Sequence, residues 1–297
     1  MKKLALVTLL AGVTACGDVL DPGTPAAPEP PRADGVTEAR GQPVAPLSDV
    51  AAGLTALAAR LEATYGQLGA APLGALWLAA PGAQEMGNTV FFRDVGNKQI
   101  PVQWVPGDPR RGGRTVLRYG VEASAPGGLS TDDVNGAADR AMTTWATQRC
   151  SERLEIERTE ILIPAAEVDI LHAGFTALPP GVLGLTIPFI WVMSDGMPTD
   201  IDNDGALDYA FAVILYSSEF PWAIDAPVID LETVMLHEAG HGLGQAHFGS
   251  LFRTEANGFY HFAPMAVMNA GYTGMQQELK PTDRAGHCGI FGDWPIH

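Results

Sequence analysis

Eleven residues, His237 to His247, reading HEAGHGLGQAH, constrain this chain more than any other stretch. His237 and His241 are four apart, so on a helix they sit one turn above each other and both imidazoles can reach a single metal ion. Glu238 lies about 100° further round the helix than His237, at the edge of the same face, where a general base for a metal-activated water belongs. Gly244 ends the helix, because glycine takes the left-handed conformation that turns a chain sharply. His247 then comes back as a third ligand. Asp230 is a good N-cap ahead of Leu231, and Glu232 favours the positive end of the helix dipole. Leu231, Met235, Ala239 and Leu243 recur every four residues on the side away from the two histidines. One face can therefore pack on a core while the other lines a cleft.

A second stretch, Asp200-Ile201-Asp202-Asn203-Asp204-Gly205-Ala206-Leu207-Asp208, alternates carboxylates and has glycine at its sixth position. Such a loop can wrap a hard cation with oxygen ligands, as calcium requires, with carboxylates from Asp200, Asp202, Asp204 and Asp208 and the main-chain carbonyl of Ala206. Phe211 stands at the twelfth position where an EF-hand has glutamate, and a β-prone run, Tyr209 to Tyr216, follows. The expectation is a structural calcium loop on the sheet side. A solvated acidic turn is the competing reading. His172, alone in an apolar strand, reads as a core or edge histidine and not as a ligand.

At the N-terminus, Lys2 and Lys3 precede an apolar run, Leu4 to Ala11, too short to span a bilayer. It leads into Val13-Thr14-Ala15-Cys16. This order resembles the signal peptide and lipobox of bacterial lipoproteins. The resemblance implies a signal over residues 1–15 and lipidation of Cys16. With Gly17 next in place of the aspartate that retains such proteins at the inner membrane, it also implies export to the outer membrane or cell surface. A plain secretory signal is the alternative. With Cys16 lipidated, Cys150 and Cys288 remain, an even pair in an oxidising compartment. A disulfide between them is expected, and two separate buried thiols are the other reading. The net charge of −16, with no basic cluster against it, argues against a nucleic-acid partner.

Residues 16–47 form a Pro/Ala-rich linker that stays extended and solvated. Ser48 caps a helix running to about Leu68, with Val50, Leu54, Leu57 and Leu61 on one stripe. Thr89–Arg93 and Ile100–Val105 are β-prone runs on either side of Gly96-Asn97, so a hairpin is expected. Residues 48–112 read as an N-terminal extension or as a latency segment covering a cleft. Beyond them come a strand over Thr115–Val121 and a helix from Ser130 or Thr131 through Trp145, with Val134, Ala138, Ala141 and Trp145 facing inward. Leu154–Arg158 and Val168–His172 read as further strands.

The window His237–His247 carries the metzincin zinc signature HExxHxxGxxH, and the chain from Arg114 onward resembles a matrixin-type catalytic domain. The resemblance implies an α+β fold over residues 113–297: a mixed twisted sheet, an active-site helix, a second long helix and a small C-terminal subdomain after the third histidine. It implies Zn2+ on His237, His241 and His247, with Glu238 as general base. Gly181–Thr186 would line the cleft as the edge strand to which substrate adds antiparallel, with an ordinary sheet strand as the other reading. Met268 would be the methionine of the turn beneath the metal, with Met265 as runner-up, and Pro281–Gly292 would be the closing helix, with Asp283 structural. The gap from His247 to Met268 is longer than matrixins have, and ligands of a second, structural zinc have no match. No cysteine lies between Gly17 and Arg149, so any latency segment works without the thiolate block of matrixins. The function implied is a monomeric zinc endopeptidase acting on protein or peptide substrates. The alternative is a membrane-anchored, zinc-stabilised binding lipoprotein without catalysis, against which the presence of Glu238 speaks.

Overall fold

The computed structural model describes residues 47–74, 76–79, 99–225, 228–253 and 260–296. The signal segment, Cys16, the linker up to residue 46 and the Thr89–Arg93 arm of the expected hairpin lie outside the described residues. The architecture is α+β, built on one mixed sheet. In chain order its elements are α1 (Leu47–Tyr65), β1 (Ala70–Pro72), β2 (Leu76–Ala79), β3 (Val102–Gln103), β4 (Leu117–Val121) and α2 (Thr131–Ala146). There follow β5 (Ile156–Arg158), β6 (Ile170–Thr176), β7 (Val182–Trp191), β8 (Leu207–Ser217), α3 (Leu231–Gly242) and α4 (Pro281–Phe291).

Strands β7, β8, β6, β4 and β5 lie in that spatial order. The last four are mutually parallel, and β7 runs antiparallel to β8 on their flank. Beyond β7, the N-terminal region supplies β1 and β2, both antiparallel to it. Ile100–Val105 contributes only the two residues of β3, which pair in parallel with the start of β8 (Val102↔Leu207, Gln103↔Asp208).

All ten residues of β7 are buried, because both faces of the sheet are covered. Alternation divides the side chains. Ile214 and Tyr216 of β8 join Leu183 of β7 in the apolar cluster that includes α2 and α3. Phe211, Val213 and Leu215 join Leu185 and Ile187 in a second cluster with Leu57 of α1. The sheet thus separates two cores, and the histidine helix belongs to the first.

Local chemistry fixes where the two long helices begin. Ser130 caps α2 in a reciprocal box with Asp133, and Val134, Ala138, Ala141 and Trp145 all face inward and are buried. Trp145 donates its indole N–H to the Leu236 carbonyl at 2.9 Å, tying α2 to α3. The other end of α3 is held by a group of residues from the β3 region. Trp104 donates to Gly242 O at 3.1 Å and stacks on Tyr209 at 4.1 Å. The fully buried Arg111 sits over the Trp104 ring and pairs with Asp169 at 2.8 Å. A buried guanidinium is tolerated only when its donors are met, and here the carbonyls of Val105 and Val116 meet further ones.

Candidate metal centre

Helix α3 starts at Asp230, whose carboxylate accepts from Thr233 N at 2.8 Å. It carries His237, Glu238 and His241, none of which has any exposed surface. At its end, Gly244 adopts φ +94°, a left-handed conformation that side chains resist. That turn swings Gln245 back so that its carbonyl lies 2.7 Å from His241 Nδ1, and it returns His247 toward the two helix histidines. Ring centroids are then 4.7, 5.3 and 4.8 Å apart for the pairs 237–241, 237–247 and 241–247.

The fit of these residues to a metal ion follows from their outer hydrogen bonds. His237 Nδ1 donates to the Val267 carbonyl at 2.7 Å, and His241 Nδ1 donates to Gln245 O. Carbonyls only accept, so in the neutral ring both Nε2 atoms present lone pairs. Burial keeps the rings neutral: the His237 pKa is pushed down to about 4. That of His241 falls well below the usual value, through burial first and then its two histidine neighbours. His237 Nε2 is buried without a hydrogen-bond partner, which is costly for a polar atom unless something binds it. His241 Nε2 and His247 Nε2 stand 3.2 Å apart. Two nitrogens each about 2.0–2.1 Å from a tetrahedral zinc stand about 3.3 Å apart. The three histidines can hold a metal ion, and the donor set and spacing suit zinc.

Glu238 turns the other way round the helix, toward β7. Thr186 Oγ1 lies 2.7 Å from its Oε2 and donates to it, while Oε1 is buried without a partner. Burial raises the carboxyl pKa to about 8, against the lowering effects of the Thr186 hydroxyl and the Leu78 main chain. Room for the carboxylate exists because residue 184 is glycine: a Cβ there would come within 2.7 Å of Glu238 Cγ and Oε1.

Beneath the helix, Met268 is buried, with its sulfur where a Cβ on Gly240 would come to 2.4 Å. Asp283 of α4 holds this turn from below, accepting from Val267 N at 2.9 Å, Met268 N at 3.1 Å and Lys280 N at 2.8 Å. Met265, the runner-up, is half exposed. Cys150, in the short turn after α2, and Cys288, on α4, form a disulfide. His172 is a buried strand histidine bonded through Nδ1 to the Tyr216 hydroxyl at 2.6 Å. It lies outside the metal-competent group.

The acidic loop is only partly convergent. Asp200, Asp202 and Asp208 bring carboxylate oxygens within 4.8 Å of one another. Asp204 does not join them, because its Oδ1 accepts from Ala206 N at 2.7 Å, so the expected set of four carboxylates reduces to three. Both Asp200 oxygens accept loop amides, from Asp204 and Gly205, and Asp208 pairs with the Arg110 guanidinium at 2.7 Å.

Sequence reasoning missed Thr186 and the carbonyls of Val267 and Gln245. A lone hydroxyl in the apolar run VLGLTIPFIW was a usable signal for the first. Main-chain acceptors leave none. No protein-family model matches the chain, and no curated protein does.

Proposed function

We propose that the chain is a zinc-dependent endopeptidase of the metzincin type. The observation that carries this reading is the pairing of three converging histidines with a buried glutamate whose Oε1 has no partner. Three imidazoles are a common donor set for zinc, which when bound would supply Lewis acidity toward a water and a peptide carbonyl oxygen. The chain's own residues account for the rest. The edge of β7 away from β8, once free of β2, would offer main-chain groups for an extended peptide laid antiparallel. Glu238 takes a proton from the attacking water at its carboxylate as the water oxygen bonds to the carbonyl carbon, then delivers it to the amine nitrogen as the C–N bond breaks. Thr186 orients the carboxylate through Oε2 and leaves Oε1 for the moving proton. Carriage to the cell surface on a lipidated Cys16 belongs to the same proposal.

The test is metal content and hydrolysis of a mixed quenched-peptide library by the chain and by Glu238→Gln. Bound zinc in both, with hydrolysis in the parent only, supports the reading. A chain that retains no metal after dialysis, or a Glu238→Gln variant that cleaves as fast as its parent, sinks it.

A further inference from the structure

The edge of β7 that would receive a peptide is already filled by the chain itself. Strand β2 lies antiparallel on it, with Leu76 opposite Thr186, Trp77 opposite Leu185, Leu78 opposite Gly184 and Ala79 opposite Val182. Ahead of it, β1 pairs with Phe189–Trp191, and Leu73 N donates to Pro188 O at 2.8 Å between the two. Leu78 therefore stands opposite Gly184, the glycine against which Glu238 packs. Leu76 and Leu78 are buried in the same apolar cluster as the inner face of α3. Under this cover His237, Glu238 and His241 have no exposed surface, and His247 only 7%. A polypeptide substrate reaches a site closed in this way only while β2 is off the edge, so the parent chain hydrolyses slowly.

We propose that β1 and β2 are an autoinhibitory strand: they occupy the peptide-binding edge of β7, and β2 must leave it before a substrate can reach Glu238. This rests on the endopeptidase reading of the site. An extended segment added to a sheet edge takes its affinity from main-chain hydrogen bonds and its selectivity from alternate side chains. Here the alternate anchors are Leu76 and Leu78. The same geometry describes the peptide that replaces them: extended, antiparallel to β7 and apolar at those two positions. The blocking element is a strand edge and two leucines, so it needs no cysteine.

The experiment uses the zinc-loaded full chain and the variant Leu76→Asp/Leu78→Asp, with two readouts: hydrolysis of the peptide library, and the rate at which excess chelator strips the zinc. The expected result is at least a ten-fold rise in both, because the charged strand leaves the apolar cluster and opens the site. Zinc loss at the parental rate from a folded variant overturns the proposal, whatever the hydrolysis. Faster zinc loss without hydrolysis in either chain upholds the cover and sinks the endopeptidase reading, so the two failures are distinguishable. If the double variant does not fold, Trp77→Cys with Leu185→Cys, at facing positions, replaces it. Oxidation then fastens β2 to β7, and the oxidised form should lose zinc at least ten-fold more slowly than the reduced form. The parent, treated in the same way, corrects for Cys150–Cys288. Equal rates in the two forms overturn the proposal.

Discussion

The histidine centre and the acidic loop both gather side chains that bind metals, yet the structure treats them in opposite ways. At the centre, the atoms not aimed at a metal are tied down: two Nδ1 atoms donate to carbonyls, so the Nε2 lone pairs have one direction left. In the loop, the ligand atoms themselves are engaged, Asp200 by loop amides and Asp208 by Arg110. One site is held ready from behind. In the other, two of the three converging carboxylates already have partners. Ligand type in a sequence therefore says less about a metal site than which atoms of those ligands remain uncommitted.

The sharpest way to break this contrast is to remove one member from each cluster and measure metal after dialysis. His241→Ala should lose its zinc, and Asp200→Asn with Asp202→Asn should keep it. Retention by His241→Ala would place the metal elsewhere. Glu238→Gln should keep zinc while hydrolysis, measured once β2 is displaced, falls by about 10²–10⁴, the usual worth of a positioned general base. Support from behind should matter next. Asp283→Asn presents an amide N–H₂ to main-chain donors at Val267, Met268 or Lys280, so zinc affinity by competition titration should fall about 10–100-fold, as for other outer partners of metal ligands. An unchanged affinity would mean that the turn holds the Val267 carbonyl without help.

Protonation provides a third measure. His172 and His287 lie outside the metal-competent group and are each pushed down to about 4 by burial. As pH falls from about 6.5, the unfolded chain takes up these protons before the folded one does. Stability is therefore present above that range and lost down to about pH 4, by roughly 3 kcal/mol per histidine. Denaturant midpoints of His172→Gln against its parent should show one histidine's share of that slope disappear, and parallel slopes would contradict the burial argument. The smallest effect belongs to the acidic loop. Millimolar calcium should change stability by less than about 0.5 kcal/mol, whereas ligand at 100 times its dissociation constant would add about 2.7 kcal/mol. A thermal shift of the larger size would mean that Arg110 yields and the loop is a second metal site.

Much of the centre was legible from local chemistry. The N-cap at Asp230, the four-residue spacing of His237 and His241, and the turn at Gly244 are written in consecutive residues, and each has one cheap conformation. The same holds for the Ser130 cap and the inward stripe of α2. Residues 70–79 were not legible. Leu-Trp-Leu beside alanines and glycine says only that the stretch is apolar, and pairing with β7 is a contact more than 100 residues away in sequence that no local preference encodes. Ile100–Val105 was legible only in part, and its Thr89–Arg93 partner lies outside the described residues. Its β-branched residues suggested a hairpin arm, but Trp104 and Val105 serve the Arg111 group, and the strand shrinks to Val102–Gln103. In the acidic loop the convergence of Asp200, Asp202 and Asp208 was legible, but Arg110, which comes from 98 residues upstream of Asp208, was not.

The Cys150–Cys288 bridge spans 138 residues, and the side chains of the candidate metal centre, with β7, α3, Met268 and Asp283, lie inside the ring it closes. A single main-chain cut between the two cysteines would open that ring into a two-chain molecule without releasing a fragment. Both pieces would stay attached to α2 on one side and α4 on the other. The two pieces would thus stay joined after such a nick. The molecule's covalent integrity does not depend on an unbroken backbone there so long as the bridge is oxidised.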